Sequence, residues 1–316
     1  KAARVCATKM RDAQPVAADH PARPAHRTSL NAPTQANDTM QQLLDHPMVQ
    51  AGVAPLVVAL LVAAALWRTR LAWLAVVAGF ATAASLSAGI SVSPLTAGRK
   101  VTLLVLLSPL VGLVLDRLAG RAPRWLPWAA SAGCGLSTLW VFASLLGQRE
   151  GTALVTTAVG LVVFVGVQAA LTLRLREDGA AGGAAGVAGG LGVGIAAVLS
   201  ASIGYLTGGV GIAAAAGALL LLQFVFNQSR TPGYAGLLPI GFGLALFAAA
   251  TTMLAQLPAY ALPLLWAVPL LASWRVAGGV AWRTRLALTT ATALAGALPL
   301  VLAAWFAARA GSSSVS

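Results

Sequence analysis

Residues 152–173 read TALVTTAVGLVVFVGVQAALTL, a stretch of 22 positions without one charged side chain. An α-helix rises 1.5 Å per residue, so about 20 such residues cross about 30 Å of hydrocarbon. The stretch does not alternate polar and apolar positions as a barrel strand would. In lipid, moreover, every backbone amide needs a partner within its own segment. It reads as a transmembrane helix.

Working outward, comparable runs occupy about 51–67, 71–93, 101–118 and 125–147 on the amino-terminal side, and 181–206, 208–228, 236–257, 259–279 and 285–307 on the other. The expected fold is therefore all-α, a polytopic bundle of about ten transmembrane helices. The third run is the weakest, because only Val101 to Leu115 is uninterrupted before Asp116 and Arg117. It reads as a short tilted span or a re-entrant segment. Without it, nine helices remain and the amino terminus changes side.

Composition points the same way: 58% of the 316 residues are apolar and 9% charged, against about 25% charged in soluble domains. Mean hydropathy is +0.82. A net charge of +13 would suggest nucleic acid in a soluble chain, but here the cations sit in the gaps between apolar runs. That is the pattern of membrane topology, so the expected partner is the lipid bilayer and not nucleic acid. Residues 1–39 lack a periodic apolar face and an h-region, and read as a disordered stretch, either an upstream extension or a truncated leader, with Met40 resembling a natural start. Residues 40–309 form the transmembrane domain and 310–316 a short polar tail.

The gaps alternate in charge. Arg68, Arg70, Arg117, Arg121, Arg124, Arg174, Arg176, Arg230, Arg275, Arg283 and Arg285 fall on one side, against Arg99, Lys100, Arg149 and Arg309 on the other. The richer side is expected to be cytoplasmic, with Met40 and the carboxyl terminus outside. Trp67, Trp73, Trp125, Trp128, Trp274 and Trp282 flank that side as headgroup anchors. The hexamer WRTRLA occurs twice, at 67–72 and 282–287, and makes Trp67, Arg68, Arg70, Trp282, Arg283 and Arg285 one interfacial device used twice.

Gly182, Gly186, Gly190 and Gly194 recur every fourth residue in the sixth run, and Gly209, Ala213 and Gly217 repeat that period in the seventh. Glycine at this spacing lets two helices press closely, since lipid offers no hydrophobic gain and packing must hold the bundle. The two runs are expected to cross tightly; a homo-oligomer or a membrane partner on the glycine faces is the alternative. Pro109, Pro239, Pro263, Pro269 and Pro299 lie inside runs. Proline frees a carbonyl, and broken helices line solute sites in carriers, although prolines are also common in membrane helices generally. "LLSPLVGLVL" around Pro109 and "GLLPIGFGLAL" around Pro239 are 130 residues apart, the offset expected of two inverted five-helix halves.

No ionisable residue lies deep in any run, which disfavours proton coupling through a buried carboxylate. Asp116 beside Arg117 reads as an interfacial ion pair, and Arg99 with Lys100 as the flank of a helix. Buried polarity is limited to groups such as Gln168, Gln223, Ser137, Thr138, Tyr205 and Cys134. Of these, Ser137, Gln168 and Gln223, with Pro109, form the candidate solute path. The three histidines, His20, His26 and His46, all precede the first run. No Walker loop, GxSxG or HExxH is present, so no catalytic set, metal-ligand set or cofactor site is expected. In size and helix number the chain is similar to drug/metabolite-type carriers, in architecture alone. The expected function is that of a small permease or exporter of an uncharged or weakly polar solute in a bacterial inner membrane. The alternative is a non-catalytic subunit or assembly scaffold.

Overall fold

A computed structural model describes residues 49–313, apart from 70, 88–92, 94, 121–124, 256 and 275–279. The proposed extension at 1–39 and residues 314–316 of the tail thus lie outside the described residues. Among the described residues all regular structure is helical. Ten helical segments follow one another: α1 Val49–Ala65, α2 Ala72–Ser87, α3 Ala97–Ala119, α4 Leu126–Val141 with a continuation Ala143–Leu146, α5 Gly151–Leu173, α6 Gly179–Leu199, α7 Ile203–Phe226, α8 Gly233–Leu254, α9 Ala259–Ala272 and α10 Trp282–Ser313. Six of them, α3, α5, α6, α7, α8 and α10, are long and apolar enough to cross a membrane. The chain is membrane-embedded on that basis, while α1, α2 and α9 are shorter apolar helices and α4 breaks at Phe142.

The third run, expected to be short or re-entrant, is one of the six. Its helix starts at Thr96, whose hydroxyl accepts from the Arg99 amide, and continues for 23 residues through Asp116 and Arg117. Charges near a helix end need not end it, because the side chains leave the apolar layer while the backbone stays satisfied. Pro109 does not break it either. The carbonyl that Pro109 leaves without an amide donor is that of Val105, and the Ser108 hydroxyl donates to it at 2.7 Å.

Successive segments run up and down. At the arginine-rich face, the Trp73 indole donates to the Arg230 carbonyl, Arg285 meets Asp178 and the Trp282 indole donates to the Gln223 carbonyl. At the opposite face, Thr207 lies beside Ser87 and Lys100 donates to the Trp140 carbonyl. The turn between α6 and α7 needs only three residues because Ala201 adopts φ 59°.

Two helices form the interior. Every residue of α8 from Tyr234 to Thr251 is buried, enclosed by α3, α5, α6 and the neighbouring helices. The other, α6, packs on α7 along one side and on α10 along another. The pairing α1–α2 corresponds to α6–α7, α4–α5 to α9–α10, and α3 packs on α8, as two five-helix halves would require. The contact of α6 with α10, however, has no comparable partner between α1 and α5. The halves share pairings without sharing a whole arrangement.

Tryptophan divides into two roles. Trp125, Trp128 and Trp274 are exposed, as headgroup anchors should be. Trp73 and Trp67 are buried, packed within the protein at its arginine-rich end beside Arg230. Trp73 packs against Gly236, where a Cβ would stand 2.7 Å from its own Cβ; Trp67 tilts against Phe226, with centroids 5.0 Å apart.

Candidate functional site

Two glycine helices meet as the period suggests over only part of their length. A Cβ on Gly190 would stand 2.5 Å from the Gly209 carbonyl oxygen and 2.8 Å from the Ala213 amide nitrogen. One on Gly194 would meet Val210 at 3.0 Å, and one on Gly186 would meet Ala216 at 2.7 Å. Gly182 instead faces Leu237 of α8, and Gly217 leaves 3.8 Å to Val187. Of the glycines of α6 outside the period, Gly183 faces Leu220 of α7, Gly189 faces Leu244 of α8 and Gly192 faces Ala297 of α10. Gly182, Gly186, Gly190 and Gly194 are buried within the chain, and Gly217 is half-buried.

The four residues of the expected solute path do not converge. Ser137 lines a groove between α3 and α4, next to Ser108, the neighbour of Pro109. Gln168 is buried on α5, one turn from Thr172, which lies against Gly241 of α8. Gln223 sits at the arginine-rich end of the bundle, where its amide donates to the Gly179 carbonyl at 3.4 Å. The side-chain oxygens of both glutamines lack a hydrogen-bond partner. Gln223 ties α7 to α6 and, through Trp282, to α10, which is a structural junction rather than a path.

No family model, curated protein or solved structure matches the chain.

Function must be argued from its cavities. One is a vestibule of about 440 Å³ opposite the arginine-rich face, bounded by α2, α3, α7 and α8. Arg99, Thr96 and Ser87 stand at its mouth, Thr102, Tyr205 and Thr207 along its wall, and Phe80, Gly208 and Phe247 at its floor. Arg99 donates to the Ser93 carbonyl at 2.6 Å, Thr102 to Gly98 and Thr207 to Gly204. Phe247 lies 5.7 Å from Phe80 and 6.3 Å from Tyr205, centroid to centroid. Phe247 is seven residues from the end of α8, which puts the floor about 10 Å below the helix ends. Beneath it the helices close, since a Cβ on Gly243 would meet Ile212 at 3.1 Å and Val105 at 3.2 Å.

At the other end a carboxylate holds two of these walls together. The amides of Tyr234 and Ala235, at the start of α8, donate to the two oxygens of Asp116 on α3 at 2.8 and 3.0 Å. Helix starts leave amides unpaired and carry partial positive charge, so a carboxylate suits the position. Pro232 precedes α8 and supplies no side-chain cap. Asp116 caps that helix from another, which corrects its reading as an ion pair with Arg117. The described ion pairs are Arg176 with Glu177 and Arg285 with Asp178. The fit of the Asp116 cap is close: Gly112, one turn earlier, sits directly against the Ala235 backbone, and Gly233 has φ +62° with the Asp116 oxygens at 2.8 Å from its would-be Cβ.

Arginine-rich residues read as anchors also find specific places. Arg285 meets Asp178 at 2.6 Å and lies over the Trp282 ring, while Asp178 caps α6 through the amides of Ala180 and Ala181. Arg283 lies over Phe224, and Arg230 lies over Trp67. Arg68 is exposed in the turn after α1, and Arg70 lies outside the described residues. The two WRTRLA hexamers therefore engage different partners. A double-mutant cycle on Arg285→Gln and Asp178→Asn should give a coupling of about 0.5–1 kcal/mol, because both side chains are more than a third exposed. Thermal unfolding in detergent measures it.

Among the described residues no cluster of three or more His, Cys, Asp and Glu could hold a metal.

Proposed function

We propose that the chain is a permease for an uncharged or weakly polar solute, with the vestibule between α2, α3, α7 and α8 as one end of its path. The vestibule carries this reading. It is deep enough to take a solute out of bulk water, its walls present hydroxyls of Thr102, Tyr205 and Thr207, and its floor is aromatic. Such a mixture of apolar surface and a few polar groups is what small-molecule sites use. The Tyr205 hydroxyl makes no hydrogen bond to another described residue, so both its proton and its lone pairs are open to a solute.

In this reading all ten helical segments cross the bilayer of a bacterial inner membrane, with the arginine-rich face in the cytoplasm, the vestibule outside, and no enzymatic chemistry. The closed layer of Val105, Ile212 and Gly243 is the barrier, and the Asp116 cap is the contact that must yield for the other face to open.

Proteoliposomes of the full chain, incubated with a small-molecule extract of bacterial cells, test this. Mass spectrometry of their contents should find a solute enriched over protein-free liposomes. Ala84→Trp, which fills the vestibule from α2, should abolish that enrichment while leaving thermal stability within about 0.5 kcal/mol, as for a substitution facing open space. No enriched solute, or equal enrichment in Ala84→Trp, would leave the scaffold reading in its place.

A further inference from the structure

The polar groups of the vestibule are not equivalent, because most of their protons are already spent. The Ser87 hydroxyl donates to the Ala83 carbonyl at 2.7 Å, Thr102 to the Gly98 carbonyl at 3.2 Å and Thr207 to the Gly204 carbonyl at 2.9 Å. A hydroxyl has one proton and two lone pairs. With its proton held by its own helix, each of the three can only accept from a solute. Thr207 also stands 3.3 Å from the Ser87 oxygen, so its proton has a second acceptor within the protein. Among the described residues of the wall, Tyr205 alone keeps a proton to give. Arg99 and Thr96 are confined to the mouth.

The floor has the same polarity. Phe247 lies 5.7 Å from Phe80 and 6.3 Å from Tyr205, and the face of an aromatic ring carries partial negative charge while its edge is positive. Another ring fits such a cluster edge to face, and an O–H or N–H fits the lone pairs beside it. A carbonyl or ether oxygen would instead find lone pairs opposite its own. A cation would suit rings and lone pairs too, but out of water its charge needs a counter-ion. Among the described lining residues none is acidic, and Arg99 stands at the mouth.

We infer that the vestibule selects an uncharged aromatic solute that donates hydrogen bonds, of the phenol or indole type, with Thr102 and Thr207 as the acceptors that recognise it. The onward passage of that solute rests on the permease reading; its recognition rests on the wall and floor alone.

Fluorine NMR of para-fluorophenol and para-fluoroanisole, which differ by a methyl group on the oxygen, tests the inference on the full chain in detergent. Ala84→Trp, whose vestibule is filled, and protein-free micelles give the background. Para-fluorophenol should bind about fivefold more tightly than para-fluoroanisole, the cost of one unmade hydrogen bond. Thr207→Val and, separately, Thr102→Val should each weaken para-fluorophenol by a similar factor and leave para-fluoroanisole unchanged. The two positions lie on different helices, so if one variant fails to fold the other decides. Equal binding of the two compounds, binding of neither above background, or undiminished para-fluorophenol binding by a folded valine variant would overturn the donor requirement and leave the permease reading to the liposome experiment. Selective binding of para-fluorophenol by a chain whose proteoliposomes enrich nothing would uphold the recognition and strike the permease reading instead.

Discussion

Gly190→Leu should leave almost no folded protein in the membrane, and Gly190→Ala should lower stability by about 1–3 kcal/mol, the usual penalty of overpacking. The reason is the nature of the neighbours. A Cβ at this position meets the Gly209 carbonyl oxygen at 2.5 Å and the Ala213 amide at 2.8 Å, which are backbone atoms unable to rotate away. Relief requires α6 and α7 to separate along the contact that holds them. Alanine gains about 1 kcal/mol of helix propensity over glycine, but that gain is smaller than the steric term. Gly217→Ala is the control: its Cβ would meet Val187 at 3.8 Å, an ordinary contact, so propensity wins and stability holds or rises slightly. Thermal unfolding of the three variants by size-exclusion in detergent checks both signs, and equal effects at 190 and 217 would contradict the packing described.

The second large effect is expected at Asp116. Its two oxygens serve the first amides of α8, and charge-assisted hydrogen bonds of this kind contribute about 1.5–3 kcal/mol each when shielded. Asp116 is itself exposed, so a loss nearer 1–2 kcal/mol, the range of a helix cap, is expected for Asp116→Ala. Asp116→Asn keeps one good acceptor and should lose less. Asp116→Lys should lose most, because it brings a cation to the positive end of a helix dipole. The order Asn, Ala, Lys in thermal stability is the test; an ion pair with Arg117 would instead make Asn and Ala equivalent.

Both predictions bear on what could be read in advance. Apolar runs locate all ten helical segments, and six of them reach the length of a bilayer crossing. The glycine period in α6 also pointed at the right neighbour: Gly186, Gly190 and Gly194 meet α7, and Gly182 alone turns to α8. A helix packed against α7, α8 and α10 has no single small face, and Gly189 and Gly192, outside the period, were the visible sign of that. Asp116 could not be read, since its partners are 118 and 119 residues away and nothing local marks them. What did mark the need was at α8, which begins after Pro232 without a capping side chain. The burial of Trp73 could not be read for a similar reason: Gly236, which makes room for it, lies far along the chain. The vestibule escaped notice because its polar groups are ordinary threonines, serines and a tyrosine scattered over three helices and separated in sequence by more than a hundred residues.

The burial of α8 from Tyr234 to Thr251 has a consequence for biosynthesis. A chain enters the membrane from its amino end, and α2, α3, α5 and α6, which together form most of the cradle around α8, all emerge before it, leaving α9 to close over it afterwards. A truncated chain released from the ribosome with its end soon after Leu254 should therefore already hold α8 in its final seat, with the carboxylate on α3 there to receive it. A chain ending before Gly233 would instead present an open trough to lipid and to the cell's quality control.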